Sequence, residues 1–217
     1  MNKRDINLYI LKASGRLDNF SKQIEEKFWD TVNKVASKIP IADIDIVIYD
    51  NPALVIPELG IGGHTHSPEF VVISLDPKFP NFSDKTIKQE LKRTLAHELN
   101  HAARWKTVGY GTTLLEALIS EGLADHFDIE ITNESPEPWD KALNANELKT
   151  FLEKAKREYQ NKKYHHNEWF FGSKEKGIPK WTGYTIGYNL VSKYLKNNLH
   201  KKPSQLYNVK AEEFIKS

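Results

Sequence analysis

The sequence predicts an α+β fold, with a small mixed β-sheet early in the chain and a mainly helical C-terminal part. Three observations carry this. Segments rich in β-branched residues lie before residue 76. After Ser83 the apolar residues recur at helical spacing. The 217 residues are 39% hydrophobic and 28% charged, a usual mix for a globular chain with a substantial core. Strands early and helices late read as α+β.

Each element has its own signal. Ile6, Leu8 and Ile10 alternate with Asn7 and Tyr9, which predicts a strand over residues 6–12. A helix is expected from a cap at Asp18 or Ser21 to about Ile39, with Ile24, Phe28, Val32 and Val35 on one face. Pro40 stops it. Residues 44–50 are the strand best supported by β-branched content. A Pro/Gly-rich stretch, 51–68, reads as a loop and contains Gly60-Ile61-Gly62-Gly63-His64-Thr65-His66. Residues 70–75 form a second strong strand.

Ile87, Leu91, Leu95, Leu99 and Ala102 form a stripe that predicts a helix from Thr86 to about Lys106. Gly109 and Gly111 break the chain. Thr113 and Glu116 have capping-box spacing and start a helix to about Ile131, ended by Pro136 and Pro138. Residues 146–159 read as a charged, exposed helix, and 183–198 as another carrying Ile186, Leu190, Val191, Tyr194 and Leu195. The polar tail, 201–217, reads as a loop plus a short helix.

Composition narrows the chemistry. There is no cysteine, so disulfides, Cys-ligated zinc and thiol catalysis are excluded. Eight histidines and the carboxylates remain for metal chemistry. The 31 basic and 29 acidic residues leave a net charge of +2, with no electrostatic footprint for nucleic acid. No stretch approaches the roughly 20 apolar residues that span a bilayer. No apolar leader region follows Met1–Asp5. The expectation is a cytoplasmic protein with no membrane or nucleic-acid partner.

His97-Glu98-Leu99-Asn100-His101 is the central signal, an H-E-x-x-H pattern. At i and i+4 two side chains lie about 40° apart on one helix face. Two imidazole nitrogens can then meet one zinc ion at roughly 2.0–2.1 Å. Glu98 sits about 100° round from His97, too far to be the natural third ligand but close enough to touch a water on the metal. Leu91, Leu95, Leu99 and Ala102 cluster on the other side, so one face can pack while the other looks into a cleft.

A catalytic zinc needs a third protein ligand and an open position for water. Glu121 lies on the next predicted helix, with Asp125 at i+4 on the same face. Glu121 could be the third ligand. Asp125 could accept a hydrogen bond from a ligand imidazole and fix its tautomer. Gly122 would let this helix approach the His97 helix closely.

The spacing His97-Glu98-x-x-His101, nineteen residues, then Glu121-x-x-x-Asp125 resembles the gluzincin, or thermolysin-like, metallopeptidases. The wording of residues 94–101 and 114–124 is similar to a bacterial family of predicted zinc-dependent proteases catalogued as a domain of unknown function. The Trp181–Tyr188 stretch fits that family too. The likeness covers roughly residues 60–195. The aminopeptidase branch carries a Gly-x-Met-Glu-Asn segment; the only Met here is Met1, which disfavours that branch.

The resemblance implies a zincin-like domain over residues 1–217 with two lobes. Lobe 1–108 would hold the sheet and the H-E-x-x-H helix. Lobe 109–217 would be helical and bring the third ligand, with the site in a cleft between them. It implies one Zn²⁺ per chain on His97, His101 and Glu121, Glu98 as general base, and peptide or protein as substrate. Hydrolysis creates an oxyanion that needs a donor, and in gluzincins a Tyr or His from the C-terminal lobe supplies it. Tyr184 is the first candidate and Tyr188 the second, with His165 and His166 as rivals that read more simply as surface residues.

His64 and His66 share one face of an extended segment. They read as substrate contacts at the cleft rim, with a second metal site as the alternative. His126 falls on the apolar side of its helix and reads as a satisfied core residue. Two other functions remain open on sequence alone: a metal-dependent binding or stress-response module, and hydrolysis of a non-peptide amide.

Overall fold

The computed structural model describes residues 6–216, so Met1–Asp5, read above for a leader, lie outside the described residues. The chain forms two compact units, Met1–Lys106 and Thr107–Ser217. The architecture is α+β, with one small mixed sheet of four strands and six α-helices among the described residues.

The first unit is built on β1 (Ile6–Ile10), α1 (Ser21–Ala36), β2 (Ile44–Asp50), β3 (Ile61–Ser67), β4 (Phe70–Leu75) and α2 (Leu91–Val108). The strand order is β1-β2-β4-β3. β1, β2 and β4 run parallel, and β3 pairs antiparallel with β4. Parallel neighbours need a crossover, and α1 supplies it between β1 and β2. In register, Ile46 faces Val71 and Ile48 faces Ile73, and all four are fully buried.

α1 buries Ile24, Phe28, Val32 and Val35, the face read from the sequence. Its start differs from the expectation. Neither Asp18 nor Ser21 caps it: Asp18 opens a 3₁₀ turn, and the Ser21 hydroxyl donates back to the Leu17 carbonyl at 2.9 Å. Its end is earlier too, because Ser37 to Ile39 close in a turn onto the helix's last carbonyls.

The Pro/Gly stretch differs more. Seven of its residues form β3 rather than loop. The glycines there serve close packing. A Cβ on Gly62 would lie 2.2 Å from the Leu54 carbonyl oxygen, and one on Gly63 would lie 2.6 Å from Glu98 Cγ. Pairing with β4 supplies the order that glycine propensity does not. A π-helical segment, Ser83–Glu90, precedes α2 and widens the turn, with Ile87 N–H bonding to the Phe82 carbonyl. The predicted stripe therefore begins in this wider helix.

The second unit contains α3 (Leu114–Thr132), α4 (Ala145–Glu158), α5 (His166–Phe171) and α6 (Thr182–Asn197). α3 opens on the expected Thr113–Glu116 capping box. It closes on Asn133 in the left-handed conformation, before the prolines are reached. Leu118, Ile119, Leu123, Phe170, Ile186 and Val191 centre the core.

α3 and α6 approach backbone to backbone: a Cβ on Gly122 would lie 2.2 Å from the Gly187 carbonyl carbon. The close approach expected of Gly122 is therefore made to α6. α5 lies in a segment that reads as polar, yet it buries Trp169 and Phe170. The tail forms two 3₁₀ turns, Pro203–Gln205 and Ala211–Ile215, pinned by buried Leu206 and Phe214. No described helix is long and apolar enough to cross a membrane.

Candidate metal centre

In the first unit, α2 presents His97, Glu98 and His101 along one stretch of helix. The four-residue interval sets the two imidazoles side by side, with ring centroids 4.7 Å apart and Nε2 atoms 3.0 Å apart. Two nitrogens on a tetrahedral zinc at 2.0–2.1 Å would stand about 3.3 Å apart. The pair thus fits a shared cation, and nitrogen donors without thiolates suit a catalytic zinc. His101 is buried and His97 half-buried.

Glu98 is only 7% exposed. Its carboxylate is met by β3. Thr65 Oγ1 lies 2.7 Å from Glu98 Oε2 and 3.0 Å from the Glu98 main-chain oxygen. Gly63 lies over the same side chain, where a Cβ would fall 2.6 Å from Glu98 Oε1. Strand alternation puts Gly63 and Thr65 on one face and His64 on the other, and exposed His66, at an irregularity in the register, lies against His64. The registers agree: Thr65 faces buried Val71, and His64 faces half-buried Val72.

His64 and His66 meet edge-on with centroids 4.3 Å apart, and His66 stacks on Phe70. Lost hydration, then the charge of His64, holds the His66 imidazole below its ordinary pKa; Glu98 opposes this. Thr65 was not among the residues singled out from the sequence. The signal available was its place two residues after Gly63, on the same face of the strand.

In the second unit, α3 carries Glu121 and, one turn later, fully buried Asp125. Glu121 acts on two aromatic neighbours. Burial first, and Glu121 second, push the Tyr164 phenol up. Burial lowers the His166 imidazole while Glu121 opposes it. His166 is exposed, as the sequence suggests, and its ring stacks on Phe170 at 4.3 Å and lies 3.3 Å from the Tyr164 hydroxyl.

Asp125 Oδ1 accepts a 3.4 Å hydrogen bond from Trp139 Nε1. Its second partner is Asp140, itself fully buried. Burial, followed by the charge of Asp125, pushes the Asp140 carboxyl far above the carboxylate range. The raised carboxyl lets the two buried acids share a proton instead of facing each other as two carboxylates. Asp140 also accepts the Glu137 N–H at 2.7 Å. This partnership was not legible in the sequence, because fourteen residues, two of them prolines, separate the two acids.

The two candidate tyrosines have different surroundings. Tyr184 packs edge-on against Phe170 at 5.0 Å, with Trp139 at 6.3 Å. Tyr188 stacks on His126 at 4.1 Å and 8°. Burial, then Asp140, Asp125 and Asp128, push its phenol up to about 12. His126 Nε2 lies 2.9 Å from Ser192 Oγ and 3.1 Å from the Tyr188 carbonyl, so this half-buried histidine is hydrogen-bonded within the unit.

The profile of a protein family described as "Predicted Zn-dependent protease (DUF2268)" matches this chain over residues 20–216. No curated protein and no solved structure matches it.

Proposed function

The chain belongs to this family of predicted Zn-dependent proteases, and on that premise we propose that it is a gluzincin-type zinc metallopeptidase with a zincin-like fold. The observation that carries the reading is the His97–His101 pair on α2, its two Nε2 atoms 3.0 Å apart. In this reading His97, His101 and Glu121 hold one Zn²⁺ per chain, and the substrate is a peptide or protein. When bound, zinc supplies an activated water, with its pKa drawn toward about 7, and polarises the scissile carbonyl.

The remaining steps belong to the chain's own side chains. Glu98 takes a proton at a carboxylate oxygen and passes it to the departing amine nitrogen. The Tyr184 hydroxyl donates to the oxygen on which negative charge develops, with Tyr188 as the alternative donor. Asp125, held by Trp139 and by a proton shared with Asp140, orients a ligand imidazole. His64 and His66, exposed on edge strand β3, contact substrate.

The test is zinc content measured by mass spectrometry beside cleavage of dye-quenched casein. One zinc per chain and chelator-sensitive cleavage are expected for the wild type. His97→Ala, His101→Ala and Glu121→Ala should each lose zinc and activity together. Full zinc in Glu121→Ala would remove it as third ligand. Stoichiometric zinc without cleavage would favour a metal-dependent binding module or a non-peptide amide substrate.

A further inference from the structure

We infer that Thr65 is the positioning residue for the catalytic base: its hydroxyl, delivered by β3, holds the Glu98 carboxylate in one orientation, in space left open by Gly63. The role of Glu98 as base rests on the peptidase reading above; the contact itself does not.

The geometry holds one carboxylate oxygen and leaves room for the other. Oε2 receives the Thr65 hydroxyl at 2.7 Å. Oε1 lies where a Cβ on Gly63 would intrude, at 2.6 Å. The terminal torsion of a glutamate is broad when nothing restrains it, and here the Thr65 hydroxyl restrains it while Gly63 leaves the space the carboxylate occupies. Thr65 is 3% exposed, so water does not compete strongly for the bond. The strand is itself paired with β4, in unbroken register from Ile61 opposite Leu75 to Thr65 opposite Val71, with an irregularity only beyond Thr65.

The hydroxyl also has a second acceptor, the Glu98 main-chain oxygen at 3.0 Å. A threonine hydroxyl carries one proton and two lone pairs. While Glu98 is a carboxylate, that proton goes to Oε2, the nearer and charged acceptor. Once Glu98 holds a proton during turnover, the hydroxyl can turn its own proton to the main-chain oxygen and accept from the carboxyl. Thr65 thus keeps a hydrogen bond to Glu98 in both halves of the proton transfer, without moving the strand. A base must stay within hydrogen-bond reach of the proton it takes, and a misplacement of about 1 Å can cost roughly 100-fold in rate.

Thr65→Val removes the hydroxyl at nearly constant shape, and Thr65→Ser keeps it. With zinc-loaded protein and dye-quenched casein, Thr65→Val should lower kcat by about 10- to 100-fold. KM should hold within about threefold and zinc content should not change. Thr65→Ser should stay within about threefold of the wild type. In a Glu98→Gln background, Thr65→Val should add no further loss.

A second readout needs no activity. The infrared carboxylate band of Glu98, isolated by difference against Glu98→Gln, should shift in Thr65→Val and not in Thr65→Ser. Unchanged kcat in Thr65→Val, or equal impairment in both variants, would overturn the inference. If the wild type cleaves no casein, the peptidase reading fails and the infrared band decides: an unshifted band overturns the contact as well.

Discussion

His97, His101, His126 and His166 are separated by what each ring meets. His97 and His101 face one another through Nε2. His126 lies against Tyr188 and Ser192, and His166 against Phe170. The first pair was legible because an i, i+4 interval on a helix dictates shared direction. The exposure of His166 was legible too, but its stacking on Phe170 was not, since both lie on a short helix that the local polarity conceals.

Asp140 was hidden for a different reason: its partner is remote in sequence. It yields a residue-scale prediction. Unfolded Asp140 ionises above about pH 4, while burial and Asp125 keep the folded carboxyl protonated well above that. The folded state then binds the extra proton, so this group's contribution to stability is complete below about pH 4 and is lost as pH rises toward the raised folded value. Asp140→Asn removes that loss. The variant's stability relative to wild type should climb between about pH 4 and pH 8, by up to about 1.4 kcal/mol per pH unit. Urea denaturation at several pH values checks it, and a pH-independent difference would contradict the assignment.

Among the elements, α2 and α3 were readable through periodicity and a capping box, whereas β3 was not. Two glycines and two histidines carry little strand propensity, and what orders the segment is pairing with β4. Those glycines mark close approach. The same holds between α3 and α6, where Gly122 meets the backbone of Gly187 and Tyr188.

Gly122→Ala sets two effects against each other. Helix propensity favours Ala by about 0.8–1.0 kcal/mol. The new methyl would lie 2.2 Å from a backbone carbon that no side-chain rotation can move, and overpacking of this kind costs about 1–3 kcal/mol or more. The overlap wins, so net destabilisation is expected in urea denaturation followed by circular dichroism. A variant as stable as wild type would show that the helices separate freely. Thr113→Ala, which removes the α3 cap, should cost about 1 kcal/mol by the same measurement.

For the molecule as a whole, the α+β class was legible from strands early and helices late. The sheet order was not, because placing β4 between β2 and β3 depends on partners chosen across the chain. The absence of cysteine restricts zinc to nitrogen and oxygen donors, and that restriction gives a global prediction. Zinc bound only by the folded state adds about 2.7 kcal/mol at a free concentration of 100 Kd. For a chain of this size each kcal/mol moves Tm by about 2–4 °C. Calorimetry should therefore show Tm roughly 5–11 °C higher with zinc at that concentration than with a chelator. The double variant His97→Ala, His101→Ala should show no such shift; an equal shift would place the zinc elsewhere.

In the proposed mechanism Glu98 works as a base on a zinc site that it does not build. Glu98→Gln tests this in one preparation, by zinc content and by the rate of casein cleavage. One zinc per chain is expected, as in wild type, with cleavage reduced by about 10²- to 10⁴-fold. Undiminished cleavage by the zinc-loaded variant would contradict it.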